Sequence, residues 1–226
     1  NKMSLRNKQP ESKELLARYW ISCKKFHSKT FSFIKKYQNK IIVIKYGGYA
    51  LTKPAPLKSF AKNISLLNQL GIKVIVVHGG GPQIEKELKK RKINNEEYQG
   101  LRVTTKSVLG VVKRILSHDL NKLISDEIKK NGGKTKRLNG VSTKVLKAKI
   151  AMNGNIGFVG EPRGIDKNII MKALKSNHIP IIAPLGIDTN KNTLNINADT
   201  AAAYIAESVK AERLLLLTDV AGVLNN

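Results

Sequence analysis

The chain has 226 residues, 41% of them hydrophobic and 25% charged, and carries a formal net charge of +25. That composition suits one or two globular domains with a real core, and no apolar run reaches the roughly 20 residues needed to cross a bilayer. A single cysteine excludes an internal disulfide framework, and four scattered histidines lack paired metal-ligand spacing, so no metal site is expected.

The positive charge does not point to nucleic acid. Arginine is scarce and aromatics make up 5%, which leaves little for base stacking or bidentate base reading. Many lysines fall on solvent faces of helical segments, as in EKELKKRK (85–92). The charge reads as solubility, or as attraction to an anionic small molecule.

Residues 1–32 are basic and mixed, with Trp20 and no long apolar core, so they are not a secretory signal. They form an N-terminal extension of unknown role. The lone Cys23 fits a reducing compartment, with the cytoplasm as the expected location. An organellar presequence for plastid or mitochondrion stays open, although Glu11 and Glu14 count against it.

From Lys40 the pattern becomes regular. KIIVIKYGG (40–48) predicts a buried strand with a glycine exit, and residues 52–70 carry apolar positions at helical spacing. KVIVVHGGG (73–81) repeats the strand-then-glycine arrangement, and a helix follows from about Pro82 to Lys92. After a polar stretch to Thr104, a long helix is expected from about Thr105 to Asn131, stopped by Gly132 and Gly133. Residues 135–161 predict short strands, a β-hairpin turning at MNGNIG (152–157) and lying over the edge of the sheet. A helix over about 167–176 leads to a strand in IPIIAPLG (179–186), and a hairpin turns around DTNKNT (188–193). An alanine-rich helix from NADTAA and a last strand, RLLLLTDVAG (213–222), complete the series. Apolar strands alternating with helices imply a mainly parallel sheet covered on both faces, a three-layer αβα sandwich.

Each conspicuous small or polar cluster follows a strand: Gly47–Gly48, Gly79–Gly81, Gly186, and Thr218–Asp219. Ligands of open parallel sheets sit beyond the carboxyl ends of the strands. Glycines there let backbone N–H groups approach an anion, and the helix start at Pro82 adds its positive end. Tight strand-to-helix turns would explain one such cluster more simply. NGGKT (131–135) is not a phosphate-binding loop, because Ile128 stands where that motif needs glycine and the segment runs from helix into strand.

Lys45 ends a buried strand directly before two glycines, reading either as a surface lysine or as a point charge for a moving phosphoryl group. Asn195, Asn197 and Asp199 cluster where a hairpin meets a helix, and a helix N-cap explains only one of them. Arg102 is either an ordinary surface arginine or a carboxylate fork. His78 reads as shaping its turn, and no Ser–His–acid set is legible.

Taken in order, KYGG (45–48), HGGGPQI (78–84), GLRVT (100–104), GFVGE (157–161), IPIIAPLG (179–186), NINADTAA (195–202) and LLTDVAGV (216–223) resemble the amino acid kinase family, and within it the members acting on N-acetyl-L-glutamate. The resemblance covers about residues 33–226 and implies one kinase domain there. It implies transfer of the γ-phosphoryl group of ATP, carried with Mg2+, to the side-chain carboxylate of N-acetyl-L-glutamate in arginine biosynthesis. By resemblance Lys45 and Asp199 are catalytic, Asp199 orienting the lysine. Gly80, Gly81, Arg102 and Asn195 bind the substrate, and Lys45, Gly47, Gly48, Thr218 and Asp219 bind ATP and its phosphates. The stretch around FSFIKKYQ (31–38) resembles a helix through which arginine-inhibited members form hexamers, implying a homo-oligomer (dimer or hexamer) with arginine as feedback inhibitor. The family continues past TDVAGV through nucleotide-binding segments and a second catalytic lysine, so the chain reads as truncated. Thr105 replaces the family's usual acid, and LNGVST (138–143) replaces a commoner LSGKDG. Two alternatives remain: a non-catalytic arginine-sensing or assembly subunit, and another member of the family.

Overall fold

The computed structural model describes residues 28–217. Thr218 and Asp219 lie outside the described residues. Helix α1 (Ser28–Tyr37) precedes strand β1 (Ile41–Tyr46), and α2 (Pro54–Gln69) leads to β2 (Lys73–His78) and α3 (Gly81–Lys90). A two-stranded hairpin, β3 (Glu97–Tyr98) and β4 (Leu101–Arg102), was not foreseen in the polar stretch before Thr104.

The long helix is present with an internal irregularity. It comprises α4 (Lys106–Lys113), a π-helical stretch (Arg114–Leu120) and α5 (Asn121–Lys130). Thr105 caps its start, its hydroxyl accepting from Val108 N–H at 3.4 Å, so threonine serves the helix end here. Gly132, at φ +82°, lets the chain turn away at the far end, as the NGGKT reading required.

Five strands form one parallel sheet in the order β11-β1-β2-β8-β5, with β5 (Thr135–Leu138), β8 (Ile179–Ile182) and β11 (Arg213–Leu217). Strand period decides which side chains meet which helices. Ile42, Ile44, Val74, Val76, Ile179 and Ile181 pack with residues of α2 to α5 on one face. Val43, Ile75, Val77 and Ile182 pack on the other face with α6 (Lys167–Lys175) and α7 (Ala198–Ser208). The three-layer αβα sandwich with a mainly parallel sheet is therefore present. No helix among the described residues is long and apolar enough to cross a membrane.

Two readings of the middle need correction. Thr135–Leu138 is an edge strand of the main sheet and no part of a hairpin. The hairpin is β6 (Leu146–Ile150) with β7 (Val159–Ile165). IPIIAPLG is two strands in two sheets: β8 stays in the main sheet, while β9 (Leu185–Ile187) leaves it after Ala183–Pro184. β9 and β10 (Thr193–Ile196) join β6 and β7 in a small closed barrel, ordered β10-β7-β6-β9. Gly186 is consequently inside a strand, and a Cβ on it would stand 2.6 Å from the Ala148 Cβ. It is glycine because the barrel interior is narrow.

Candidate functional site

The exits of β1 and β2 lie side by side, and Gly79 N–H donates to Tyr46 O at 2.9 Å. Tyr46 anchors this end: it stacks on Phe60 with ring centroids 3.9 Å apart, and its hydroxyl donates to Ala50 O at 3.2 Å. Burial pushes its phenol up to about 12, so it stays neutral.

The glycines serve different ends. A Cβ on Gly48 would meet Pro82 Cδ at 2.8 Å and Gly81 N at 3.0 Å, so the two loops touch backbone to backbone. On Gly80 it would meet Leu116 Cδ2 and Leu120 Cδ1, both at 2.7 Å. Gly80 therefore makes room for the π-helical stretch, a packing cause that leaves its backbone on the cleft. Gly81 has nothing within 4 Å of its Cβ position, and it opens α3. Gln83, to which sequence reading gave no role, ties the loops by donating from Nε2 to Gly48 O at 2.9 Å.

His78 is fully buried between these elements. Its Nδ1 lies 3.0 Å from Gly79 O, which can only accept, so the proton sits on Nδ1. Nε2 then accepts from Asn121 Nδ2 at 3.2 Å, and Asn121 Oδ1 accepts from Arg137 Nε at 2.9 Å. Burial, helped by nearby Arg137 and opposed by the bond to Gly79, lowers the imidazole to about 4. A neutral, doubly bonded His78 shapes the turn, as expected.

These loops floor a cleft of about 320 Å³. Lys45, Gly48, Gly80, Gly81, Arg102, Asn195 and Asp199 all line it, so seven sequence-predicted site residues converge. Gly47 stands beside it, its Cβ position 3.9 Å from Lys45 Nζ. Lys45 shares the face of β1 that carries Val43, the face packed by α7. Its Nζ meets Asp199 Oδ1 at 3.0 Å, with 14% of the lysine side chain exposed and 50% of the aspartate. Asp199 lies in the first turn of α7, where N–H groups favour a carboxylate. Asn197 caps that helix, its Oδ1 accepting from Asp199 N–H at 2.9 Å and Thr200 N–H at 3.0 Å, and it also lines the cleft.

Arg102 joins the lining from β4. Its guanidinium donates to Asn95 Oδ1 and lies 4.0 Å from Glu97 Oε1, with 11% of its side chain exposed. Burial lowers its pKa and the carboxylates of Glu97 and Glu85 oppose that; the group stays cationic. Asn195 Nδ2 donates to Thr104 Oγ1 at 3.2 Å. Tyr49, Glu97 and Asn197 join the lining without having been assigned there from sequence. The position of Tyr49 directly after Gly47–Gly48 was the available signal. For Glu97 there was none, because the short hairpin that places it was itself invisible. Among the described residues no group of three or more His, Cys, Asp or Glu side chains could hold a metal ion.

The cleft thus offers a lysine beside glycine loops and a helix start, and an arginine and an asparagine in the same lining. It can hold two anionic groups in one space. A model of the amino acid kinase family matches residues 40–226. The acetylglutamate kinase of Psychrobacter cryohalolentis is 41% identical over 203 residues, covering 85% of this chain and 68% of that protein. A solved protein of Streptococcus mutans superposes with a TM-score of 0.76 at 33% identity, covering 82% of this chain and 75% of that one. The N-acetylglutamate synthase of Neisseria gonorrhoeae, solved with coenzyme A and N-acetylglutamate, gives a TM-score of 0.75 at 24% identity, over 85% of this chain and 44% of that one. That last likeness is one of fold.

Proposed function

The chain belongs to the amino acid kinase family, and we propose that it transfers the γ-phosphoryl group of ATP to the side-chain carboxylate of N-acetyl-L-glutamate, a step of arginine biosynthesis. The observation that carries this reading is the Lys45–Asp199 pair at the glycine-lined end of the same cleft that holds Arg102 and Asn195. Two anions must be brought together, and the lining supplies two cations, Lys45 and Arg102.

The acceptor carboxylate is ionised at neutral pH, so no general base is needed. One carboxylate oxygen forms a bond to the γ-phosphorus, the bond to the β–γ bridging oxygen breaks, and ADP leaves with that electron pair. Lys45 accompanies the phosphoryl group as its charge spreads, and Asp199 holds the lysine in place. Gly47, Gly48 and the N-terminus of α3 receive the phosphates, with Thr218 and Asp219 assigned to ATP on resemblance alone. ATP brings Mg2+ on its phosphates, which neutralises charge there. Arg102 takes the α-carboxylate, and Gly80, Gly81 and Asn195 complete the acylated end.

A coupled assay for ADP release dependent on N-acetyl-L-glutamate tests the assignment. Turnover with N-acetyl-L-glutamate and none with free glutamate is expected; release indifferent to the acyl acceptor would sink it. The same reading extends to a homo-oligomer with arginine as feedback ligand. Helix α1, on which Phe33 is 61% exposed, supports assembly through that segment. Light scattering with and without arginine tests that part.

A further inference from the structure

Thr104 is fully buried, and its hydrogen-bonding groups are all engaged. Its N–H donates to Ile156 O at 3.0 Å, and its carbonyl accepts from Phe158 N–H at 2.8 Å. The hydroxyl donates to Arg102 O at 2.8 Å and accepts from Asn195 Nδ2 at 3.2 Å. Gly157 comes close enough that a Cβ there would collide with the Thr104 carbonyl, and its φ of +72° suits glycine. One side chain therefore joins the strand of Arg102 to the strand of Asn195.

Packing alone does not ask for threonine, since valine has nearly its shape. The hydroxyl does something valine cannot. Arg102 O can only accept, so the hydroxyl hydrogen is committed there, and the oxygen that remains can only accept. Asn195 must in turn present its nitrogen to Thr104. Its Oδ1 is left without a protein partner among the described residues, at a position lining the cleft. An acceptor held this way suits a ligand N–H, such as the amide of an N-acylated amino acid.

We propose that Thr104 is a positioning residue: its hydroxyl sets the orientation of the Asn195 amide, ties Asn195 to Arg102, and so sets the affinity of this end of the cleft for its ligand. The ligand named in the test, N-acetyl-L-glutamate, rests on the functional reading above. Calorimetric titration of N-acetyl-L-glutamate into the wild type, Thr104→Val, Thr104→Ser, Asn195→Ala and the Val/Ala double variant reads the affinity. The side-chain NH2 resonances of Asn195 read the anchoring itself.

Thr104→Val should weaken binding at least about tenfold, and Thr104→Ser should return it to within about threefold of wild type. In the Asn195→Ala background Thr104→Val should cost nothing further, which a merely structural threonine would not show. The Asn195 resonances should move in the valine variant and recover in the serine variant. Unchanged affinity in Thr104→Val, or the same loss with and without Asn195, overturns the proposal. Should the wild type bind no N-acetyl-L-glutamate, the functional reading fails, and the resonances still decide: movement and recovery support the anchor, and constancy overturns it. If Thr104→Val loses its cooperative melting transition, Thr104→Ala replaces it in the same comparison.

Discussion

Lys45 Nζ and Asp199 Oδ1 stand 3.0 Å apart, the lysine near the end of strand β1 and the aspartate in the first turn of α7. A mostly buried ammonium is thereby aimed by a carboxylate that a helix start stabilises. Groups that follow charge in a transition state act on the chemical step. Lys45→Ala should therefore lower turnover at least about a hundredfold while N-acetyl-L-glutamate affinity barely changes. Steady-state kinetics decide: unchanged turnover with a raised Michaelis constant removes the assigned role.

Arg102→Lys keeps the charge and loses the planar fork that grips a carboxylate with two bonds. N-acetyl-L-glutamate affinity should fall about tenfold or more while ATP affinity holds. Separate calorimetric titrations of the two ligands make the comparison. Equal weakening of both would mean that the substitution damages the fold.

Adjacent glycines should behave oppositely. Gly80→Ala forces a Cβ against Leu116 and Leu120 at 2.7 Å, an overpacking expected to cost about 1–3 kcal/mol. Gly81→Ala meets nothing within 4 Å, so its melting temperature should stay near wild type while ligand affinity drops. Thermal melts paired with titrations check both. A stable Gly80→Ala protein would show that the loop and the π-helical stretch are looser than this geometry.

His78 ties stability to acid. The imidazole has an ordinary value of 6.5 and about 4 in the folded chain, so the unfolded state binds the extra proton between those values. Stability is intact above pH 6.5, declines as pH falls, and levels off below about 4, for a total of about 3 kcal/mol. Urea unfolding at pH 7 and pH 4.5, compared between wild type and His78→Gln, measures this share. Identical acid sensitivity in the two proteins would rule His78 out as its source.

Much of the element series was legible because its signals are local. Val74 to Val77 read as a buried strand, and α2 shows its apolar face at helical spacing. Asn197 announces a helix start two residues before Asp199. The π-helical stretch was not legible, since its apolar residues fit an ordinary helix equally well. Nor was the break in IPIIAPLG: one apolar run serves two sheets, and only the competition between the main sheet and the barrel cuts it at Ala183–Pro184.

By itself the sequence determined that Lys45, the glycine exits, Arg102, Asn195 and Asp199 belong to an alternating strand–helix chain, with the clusters at strand ends. Backbone periods and capping preferences act over a few residues, so they are written where they act. The resemblance implied that Asp199 orients Lys45, but tertiary structure alone decided the geometry of that pair, that Thr104 joins Arg102 to Asn195, and that Gly80 yields to Leu116 and Leu120. Those partners are distant in sequence, and no local preference links them. Sheet order, the side of the sheet each helix covers, and close packing bring them together.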